Sequence, residues 1–531
     1  MKQFLFLVLI FLNISFPSYS QPLVVNWQQC YGGSDSDGGT RIAKARNGYF
    51  LFGTTNSFDG QVVGNHGLND YWVIRTDTVG NLLWSKTLGG SSDDVLKQAK
   101  PTVDGGFILF GETESNDGDV HGNHGGYDYW IVKIDSLGNL QWQKCLGGSY
   151  NDFGEDIDIT ADSGFICTGW SLSIDGEVTG NHGVYDYWVV KLDKNGNIKW
   201  ENSFGSSFPD LGLGIISTND GGAILSGYTG LSDGDVQCNY HGGNADAWIV
   251  KLDSTGAIQW QQCYGGSQND GIYLVVPLTD GGYLCAGNTA SNDGQVTGNH
   301  GSTDFWVMKI DHSGNLISQK CFGGSGLDAP NFMKASPDGN YIIGGVTYSN
   351  DGDVSGFHSP PGGEDMWIIK ISPDLDLIWQ QCIGGEGNEE CYDMLDLGSG
   401  KYMLLGYSIN WDLHGEYHCY NNGNPDAWLV SVTDTTYIGI DEKKRNKNSI
   451  QVYPNPSKEY VVFESLKTNE TNRIYIQIFN SIGENVKKIT LRPLDKQVKW
   501  NVSKQPGGVY YFTAFDSTSN LKSNGKFVII H

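Results

Sequence analysis

The stretch Asp128 to Gly148, reading DYWIVKIDSLGNLQWQKCLGG, decides the fold of this chain. Its first part, Tyr129 to Ile134, alternates bulky and β-branched residues, which is typical of a half-buried strand. The letters SLGN at 136–139 predict a tight turn, because Gly138 can adopt a positive φ without steric cost. Leu140 to Leu146 then runs back, so the stretch predicts a β-hairpin.

The same hairpin recurs seven times along the chain. Its first residue is an aspartate in every copy, at Asp70, Asp128, Asp186, Asp246, Asp304, Asp365 and Asp426. Successive copies are 58, 58, 60, 58, 61 and 61 residues apart. A fixed period of this size indicates a solenoid or a propeller.

Each repeat contains four strand candidates, most clearly in the second copy. Val95 to Thr102 and Gly106 to Glu112 precede a loop at Thr113 to Tyr127, and the two hairpin strands follow. Four antiparallel strands per repeat predict a β-propeller of four-stranded blades. A β-helix would need shorter repeats, and no 3.6-residue periodicity supports helical repeats.

The two ends of the repeat region predict how the ring closes. The seventh repeat has a third strand at Trp428 but no fourth strand. The N-terminal segment WQQCYGG, beginning at Trp27, is nearly identical to the fourth strand beginning at Trp260. We therefore predict seven blades, with the last blade completed by the N-terminal strand, which would remove an exposed sheet edge.

The hairpin turn carries the pattern D-x-x-G-N-x-x-W, as in the segment from Asp193 to Trp200. This pattern resembles the tryptophan-docking motif of quinoprotein-like and kelch-like propellers, in which the tryptophan packs against the next blade. The turn is one residue shorter here, and it also departs from the Asp-box of sialidases. The resemblance implies a fold and no activity. Ser318 replaces the tryptophan in the fifth copy, which predicts one missing docking contact.

Antiparallel strands place the two longer connections of each blade on one face, where we expect any ligand to bind. The longer loop reads N-D-G-[DEQ]-V-x-G-N-H-G. Its histidine recurs at His66, His124, His182 and His300, with altered versions at His241 and His358. These four regular histidines are candidate ligand-binding residues for one glycan per blade. The alternative is that each histidine fills a repeated packing position.

The same loops present two carboxylates around a flexible glycine. These candidate calcium ligands are Asp117, Asp119, Asp233, Asp235, Asp351 and Asp353. Carboxylate oxygens suit Ca²⁺, so calcium is the one cofactor that the sequence suggests. The alternative is that these residues cap the turns. No bidentate glutamate follows in the register that an EF-hand requires.

The sequence predicts no enzyme, because every histidine and aspartate of the loops has several copies and a catalytic set is asymmetric. Nucleophile-elbow, zinc-protease and phosphate-loop motifs are absent. Two segments break the repeat, FHSPP at 357–361 in blade six and 411–422 in blade seven. They leave open a secreted glycan hydrolase whose acids lie in the irregular blades.

Residues 1–20 combine a lysine, a short apolar run and a small-x-small cleavage site, which predicts a secretory signal peptide and no transmembrane segment. The formal net charge is −26. From Asp441 onward 15 basic residues face 8 acidic ones, so the rest of the chain carries −33. Such charge disfavours nucleic acid and anionic membranes as partners.

Ten cysteines occur in the chain. Cys30, Cys145, Cys263, Cys321 and Cys382 share one strand position. This repeat-equivalent placement favours buried apolar packing over disulfide pairing. Cys238 and Cys419 share a loop position in different blades, which places them too far apart to pair with each other.

The repeat stops after Val432, and a charged linker leads to a second module from Ile450. Its short alternating strands predict a small, Ig-like β-sandwich. YPNP at 453–456, FNSIGENV at 479–486, GGVYYF at 507–512 and KFVII at 526–530 resemble, in order, the type A C-terminal sorting domain of the type IX (Por) secretion system. The resemblance implies outer-membrane translocation in a Bacteroidetes-type bacterium, usually with removal of this domain and release or surface attachment.

The prediction is an all-β chain with a signal peptide (1–20), a seven-bladed propeller (21–433), a linker (434–449) and a sorting domain (450–531). We expect a secreted or outer-membrane-surface protein that binds or scaffolds on its long-loop face. Its partners would be the type IX machinery and an extracellular glycan or protein.

Overall fold

The structure is a computed structural model of the chain. It describes residues 22–238, 241–243, 245–360, 362–409, 424–436, 450–454, 457–465, 473–480, 485–492, 495–516 and 521–530. Every regular element in these ranges is a strand, so the described chain is all-β. The chain divides into two compact units, Met1–Gly439 and Ile440–His531.

The first unit begins with β1 (Leu23–Tyr31) and continues as repeated four-stranded sheets. Sheet 1 contains β2 (Asp37–Ala45), β3 (Gly48–Thr55), β4 (Asp70–Thr76) and β5 (Leu82–Leu88). Sheet 2 contains β6 (Asp94–Pro101), β7 (Phe107–Thr113), β8 (Asp128–Ile134) and β9 (Leu140–Leu146). Sheet 3 contains β10 (Asp152–Ile159), β11 (Phe165–Ser171), β12 (Asp186–Leu192) and β13 (Ile198–Phe204).

The remaining sheets of this unit follow the same order. Sheet 4 contains β14 (Asp210–Ser217), β15 (Ala223–Thr229), β16 (Asp246–Leu252) and β17 (Ile258–Tyr264). Sheet 5 contains β18 (Asp270–Pro277), β19 (Tyr283–Thr289), β20 (Asp304–Ile310) and β21 (Leu316–Phe322). Sheet 6 contains β22 (Asp328–Ala335), β23 (Tyr341–Thr347), β24 (Asp365–Ile371) and β25 (Leu377–Ile383). Sheet 7 contains β26 (Asn388–Gly398), β27 (Lys401–Ile409), β28 (Asp426–Asp434) and β1.

The N-terminal strand completes sheet 7. Strand β1 pairs antiparallel with β28, and Cys30 lies opposite Trp428. The indole Nε1 of Trp428 donates to Gln28 Oε1 at 2.9 Å, as Trp130 does to Gln143 within sheet 2 at 3.0 Å. The sequence-predicted pairing of the Trp27 strand with the Trp428 strand is therefore observed.

The third strand of each sheet forms the core. All seven residues of β8 are buried, because its apolar side chains alternate between the two faces of sheet 2 and both faces are covered. The ring of Tyr129 packs against that of Trp188 in sheet 3, with the centroids 4.5 Å apart and the planes tilted, and its hydroxyl donates to the Trp188 carbonyl at 2.9 Å. Neighbouring sheets therefore share apolar layers through their third strands.

The predicted tryptophan docking is observed where a tryptophan of a fourth strand meets the glycine of the next hairpin turn. A Cβ added to Gly138 would lie 2.7 Å from Cη2 of Trp84, and one on Gly196 would lie 3.0 Å from Cζ3 of Trp142. Only glycine leaves room for the ring at these turns, and its positive φ also suits the turn. The first strands contact one another in the series β2, β6, β10, β14, β18, β22 and β26, and β26 contacts β2.

The missing tryptophan at Ser318 is matched by a second substitution. Leu375 of sheet 6 replaces the turn glycine that the Ser318 position would face. Leu375 is 1% exposed and has a φ of 65°, which a non-glycine residue adopts only when packing holds it there. The leucine side chain thus occupies an apolar position beside a sheet that lacks the indole.

The prediction that the strand cysteines pack as apolar residues and do not form disulfides was wrong for Cys263 and Cys30. Cys238 in the loop of sheet 4 forms a disulfide with Cys263 in β17, and Cys30 is also disulfide-bonded. The loop of sheet 4 passes over β17, which brings a loop cysteine to the strand position that the repeat shares. Three cysteines at that strand position remain free and buried, namely Cys145, Cys321 and Cys382. Cys419 lies outside the described residues.

The second unit contains two sheets. One comprises β29 (Ile450–Tyr453), β30 (Tyr460–Ser465) and β33 (Gln497–Asn501). The other comprises β31 (Ile474–Phe479), β32 (Asn485–Leu491), β34 (Gly508–Asp516) and β35 (Leu521–Ile529). Phe463 of the first sheet packs against Phe512 and Phe527 of the second, so the two sheets share one core.

Candidate functional site: sheet junctions and a break in their repeat

Two buried carboxyl groups meet wherever one sheet of the first unit follows another. We call each such place a junction and number it by its sheets, so Asp70 and Asp94 form junction 1/2. A Cβ on Gly89 would lie 2.5 Å from Asp70 Oδ1 and 2.7 Å from Asp94 Oδ2. Both side chains are fully buried. The glycine therefore allows two carboxyl groups to approach each other out of contact with water.

The carboxyl group from the following sheet is held by several donors. Asp94 accepts the hydroxyl of Thr113 on Oδ1, the hydroxyl of Ser115 at 3.0 Å on Oδ2, and the backbone N–H of Gly90 at 2.7 Å. The equivalent carboxyls at the other junctions are Asp37, Asp152, Asp210, Asp270, Asp328 and Glu389. This network ties the start of each sheet to the end of the preceding sheet.

The histidines predicted as ligand-binding residues contact the other carboxyl group of each junction. The Nδ1 atom lies 2.7 Å from Asp Oδ2 for His66, 2.6 Å for His124, 3.0 Å for His182 and 2.7 Å for His300. The backbone N–H of each histidine donates to the same oxygen. His241 and His358 do the same in their altered loops. Ligand binding by the four regular histidines remains a prediction.

The two aspartates of each Asp-Gly-Asp loop point to different partners. Oδ1 of Asp117, Asp233 and Asp351 accepts the backbone N–H of Ser91, Ser207 and Ser325, at 2.7 Å in each case. The second carboxylates face the histidines of the preceding sheet, with Asp235 Oδ2 3.6 Å from His182 and Asp353 Oδ2 4.0 Å from His300. Burial raises the pKa of Asp70, and the nearby charge of Asp119 adds to that rise. In the described residues no three His, Cys, Asp or Glu side chains are arranged to hold a metal ion.

Burial shifts the pKa values of the junction carboxyls upward. It raises the pKa of Asp94 to about 7 despite its hydrogen bonds, and the charge of Asp70 adds to the shift. Burial also raises the pKa of Asp128 to about 7 and of Asp210 to about 6. Among the described residues, none donates a hydrogen bond to Oδ1 of Asp70 or of Asp128. These groups hold protons at a pH at which exposed carboxyls are ionised.

Junction 6/7 departs from the repeat and carries a cluster that sequence reasoning missed. Tyr407 donates its hydroxyl to Glu364 Oε1 at 2.7 Å, and Tyr348 donates to Glu364 Oε2. Tyr392 donates to Glu390 Oε2 at 2.9 Å, and Asn331 donates to Glu390 Oε1 at 2.7 Å. We call this set the acid–tyrosine cluster.

The acid–tyrosine cluster is reachable from solvent. Tyr348 is 41% exposed, whereas Glu364 is 6% exposed and Glu390 and Tyr407 are half-buried. Burial raises the pKa of Glu390, and the charge of Glu364 adds to the shift. The cluster therefore combines partly sheltered carboxyl groups with phenol hydroxyls at an accessible position.

Junction 2/3 places aromatic rings at the same three repeat positions. Tyr127, Phe153 and Trp170 are equivalent to Glu364, Glu390 and Tyr407, because each trio flanks the junction carboxyls in the same way. The ring centroids of Tyr127 and Phe153 are 5.2 Å apart, and those of Phe153 and Trp170 are 5.5 Å apart. All three rings are half-buried. We call this trio the aromatic ladder.

Charged side chains connect the first strands. Lys97 Nζ lies 3.1 Å from Glu155 Oε1 and 3.6 Å from Glu112 Oε1. Arg41 donates to Gln98 Oε1 at 2.8 Å and contacts the carbonyl of Tyr392 at 3.4 Å. These bonds join the first strands of sheets 7, 1, 2 and 3 beside the acid–tyrosine cluster and the aromatic ladder.

The sequence indicated irregular segments near the acid–tyrosine cluster, but it did not single out the residues of the cluster. The segment 357–361 breaks the sequence repeat, and residue 361 and the other irregular segment, 411–422, lie outside the described residues. Glu364 follows the first irregular segment, whereas Glu390 and Tyr407 lie in strands β26 and β27. A comparison of each repeat position across all seven copies would have identified Glu364, Glu390 and Tyr407 as departures from the repeat.

These observations define an all-β chain of repeated four-stranded sheets followed by a small second unit. Residues 451–530 match the family described as the secretion system C-terminal sorting domain. This match confirms the sorting-domain part of the sequence resemblance and indicates export by the type IX secretion system, to the cell surface or the medium. A search of curated proteins finds no match. No helix in the described residues is long and apolar enough to cross a membrane.

Several solved structures resemble the chain distantly. PorZ from Porphyromonas gingivalis, described as an essential bacterial surface component of the type-IX secretion system, shares 10% identity at a TM-score of 0.39. The match covers 94% of this chain and 60% of PorZ, so the chain spans about 60% of that protein's length. A fungal alcohol oxidase of the AA5 family shares 11% identity over 96% of this chain and 100% of its own, with a TM-score of 0.44. A glycoside hydrolase shares 8% identity over 94% of this chain and 97% of its own, with a TM-score of 0.30.

Proposed function

We propose that residues 21–433 form a closed seven-bladed β-propeller that binds an extracellular ligand after type IX export. In this proposal residues 1–20 are a signal peptide, 434–449 a linker and 450–531 the sorting domain. Support for closure comes from the β1–β28 pairing and from the contacts of the first strands, including that of β26 with β2. A closed ring leaves no unpaired sheet edge between the first and last blades.

The ligand that the junctions favour is a glycan bound across the mouth of the ring. The observation that carries this proposal is the equivalence of the acid–tyrosine cluster and the aromatic ladder in repeat position. In a ring of seven, junctions 6/7 and 2/3 are three steps apart one way and four the other. The two sets would therefore face each other from roughly opposite sides of one opening.

The chemistry of the two sides suits a sugar chain. The half-buried rings of Tyr127, Phe153 and Trp170 offer flat apolar faces against which the C–H side of a sugar can stack. On the opposite side, Glu364, Glu390 and their tyrosine hydroxyls offer hydrogen-bond acceptors and donors for ring hydroxyls. The excess negative charge of the first unit favours a neutral or amino sugar over an anionic one.

A glycan-array screen with the secreted full chain tests this proposal. We expect binding to a neutral or amino-sugar glycan, and we expect Trp170→Ala and Tyr407→Phe each to weaken binding by about tenfold, since each loses about 1.4 kcal/mol. Tyr150→Ala is the matched control, because Tyr150 is 57% exposed on the same face but belongs to neither set. Equal binding by all three variants would place the ligand elsewhere.

A glycan hydrolase is the second candidate function. Its support is the approach of two carboxyl groups to one phenol: Tyr407 bonds to Glu364, and its hydrogen bond to Glu390 opposes part of the rise that burial causes in the pKa of Glu390. Glycosidases use one protonated and one ionised carboxyl group on either side of the scissile bond. Release of reducing ends from a glycan that the chain binds, abolished by Glu390→Gln with binding retained, would support this candidate. Binding without any release would exclude it.

A further inference from the structure

A row of apolar side chains continues the aromatic ladder from sheet 3 into sheet 4. Phe153 pairs with Trp170 in sheet 3, and Leu211 pairs with Tyr228 at the same repeat position in sheet 4. A Cβ added to the glycine after Leu211 would lie 2.8 Å from the carbonyl oxygen of the residue before Trp170. These two residues therefore flank one close contact between the sheets. All four side chains are half-buried, and we call them the apolar row.

A carboxyl group borders the apolar row at its Phe153 end. Glu112 of sheet 2 has the repeat position that Trp170 has in sheet 3. A Cβ added to the glycine after Phe153 would lie 2.4 Å from the carbonyl oxygen of the residue before Glu112. Burial raises the pKa of Tyr127 in the aromatic ladder to about 12, and nearby charges that include Glu112 add to the rise. Glu112 therefore lies beside both the ladder and the row.

The carboxyl group of Glu112 is incompletely paired. Glu112 is 7% exposed, and none of the residues that the structure describes donates a hydrogen bond to its Oε2. Lys97 Nζ lies 3.6 Å from Glu112 Oε1 but 3.1 Å from Glu155 Oε1, so two carboxyl groups share one ammonium. Lys97 and Glu155 are half-buried, which leaves these three residues open to solvent on one side. A buried oxygen without a donor is costly, and that cost favours a ligand that supplies one.

We propose that the glycan bound at the mouth of the ring is a chain of amino sugars with free amino groups, an inference that rests on the proposed function. The sugar rings lie along the apolar row, and one ammonium group donates to Oε2 of Glu112. The ammonium supplies the missing donor and also balances the negative charge that Lys97 leaves uncompensated. A sugar hydroxyl or an N-acetyl group supplies a donor without the charge. Because the row extends over two sheets, it suits a chain better than a single sugar.

Three β-1,4-linked hexamers test this inference, because the hexamers of glucosamine, N-acetylglucosamine and glucose differ only at carbon 2 of each ring. Calorimetric titration of the secreted full chain at pH 7 and physiological salt measures their affinities. We expect the glucosamine hexamer to bind about tenfold more tightly than the glucose hexamer, as one hydrogen bond to a charged group predicts. Equal or tighter binding of a neutral hexamer would overturn this inference and leave glycan binding at the mouth intact. Absence of glucosamine-hexamer binding would also overturn it, and the glycan array decides the proposed function separately.

Charge-matched variants separate this site from general attraction, because any polycation is drawn to a protein with excess negative charge. Glu112→Gln should weaken glucosamine-hexamer binding about tenfold and leave glucose-hexamer binding unchanged. Asp135→Asn removes the same charge from the opposite end of the strands of sheet 2 and should change neither affinity. Glu155→Gln also weakens glucosamine-hexamer binding, because it frees Lys97 to pair with Glu112, and it suffices if Glu112→Gln fails to fold. Equal weakening by the Glu112 and Asp135 variants would overturn the inference.

Discussion

The indole of Trp27 packs on Gly80, with Cζ3 2.7 Å from the position that a Cβ on Gly80 would take. Trp27 lies in β1 of sheet 7 and Gly80 in the hairpin turn of sheet 1, so this contact joins the two ends of the repeat region. The same relationship links Trp84 to Gly138 within the series. The hydroxyl of Tyr31 adds a bond to the Gly80 carbonyl at 2.5 Å.

Removal of residues 21–33 should therefore destabilise the first unit. The deletion exposes the edge of β28 and removes the contacts that Trp27 and Tyr31 make with Gly80 of sheet 1. Loss of one large buried aromatic alone costs about 3–5 kcal/mol. We expect a lower denaturation midpoint and oligomers formed through the free edge. Chemical denaturation and light scattering of both proteins measure these effects. A truncated chain as stable and monomeric as the full one would contradict closure by the N-terminal strand.

Ser318 and Leu375 should behave as a coupled pair. Ser318→Trp alone inserts an indole beside a turn that Leu375 already fills, and overpacking of this kind costs about 1–3 kcal/mol. Leu375→Gly alone relieves the positive φ but removes a buried side chain, which costs about 2–5 kcal/mol when no group replaces it. The double variant places an indole against a turn glycine between sheets 5 and 6, as Trp84 and Gly138 do between sheets 1 and 2. We expect it to be more stable than the sum of the single effects by at least about 1 kcal/mol.

The repeat made most of the fold predictable, because most hairpins carry the strand alternation, a turn glycine and a docking tryptophan. The pairing of β1 with β28 was predictable for the same reason, since the WQQCYGG segment has the sequence of a fourth strand. The Cys238–Cys263 bond was not predictable, because it depends on where one irregular loop crosses a strand. The acid–tyrosine cluster was missed because Glu364, Glu390 and Tyr407 are distant in sequence and meet only when sheets 6 and 7 pack.

The Asp-Gly-Asp loops supply a test with divalent cations. Asp117 commits Oδ1 to Ser91, which leaves its other oxygen and the carboxylate of Asp119 for a cation. We expect millimolar Ca²⁺ to raise the melting temperature more than Mg²⁺, because Mg²⁺ demands a stricter octahedron. At a hundred times its dissociation constant a bound cation adds about 2.7 kcal/mol.

Changing Asp117 and Asp119 to Asn should remove the contribution of this one loop to the rise in melting temperature that Ca²⁺ causes. The matched control is Asp135→Asn. It alters the hairpin turn between β8 and β9, which lies at the opposite end of the strands of sheet 2. Equal effects of Ca²⁺ and Mg²⁺, no larger than those of added NaCl at the same ionic strength, would mean that these carboxylates act as turn caps.

Deletion of residues 450–531 should block export and leave the first unit folded. The first unit has hydrophobic clusters of its own, and the second unit has a separate one, so the first unit keeps its clusters when the tail is deleted. We expect the truncated chain in the periplasm with an unchanged melting temperature. Cell fractionation and thermal denaturation check the two expectations. Normal surface display without the tail would contradict its role in sorting.

The paired junction carboxyls should make the folded chain more stable in mild acid than in alkali. Burial raises the pKa of Asp94, Asp128 and Asp426 to about 7 each. Between pH 4 and 7 the folded state therefore holds protons that the unfolded chain has released. The free energy of unfolding falls as pH rises through this window, by about 1.4 kcal/mol per pH unit for each proton so held, and levels off above it.

Asp128→Asn tests this linkage at one junction. The amide oxygen can still accept from His124, but the side chain no longer ionises. The slope of the free energy of unfolding against pH should therefore become smaller by the contribution of one proton. At pH 8 the variant should be more stable than the wild type. Asp135→Asn is the matched control, because turn hydrogen bonds led by Asn139 lower the pKa of Asp135. That carboxylate stabilises the fold above pH 4, so its loss should reduce stability at neutral pH without changing the slope between pH 5 and 7. Urea denaturation at intervals from pH 4 to 9 measures both slopes, and identical curves for Asp128→Asn and the wild type would show that the pair holds no proton.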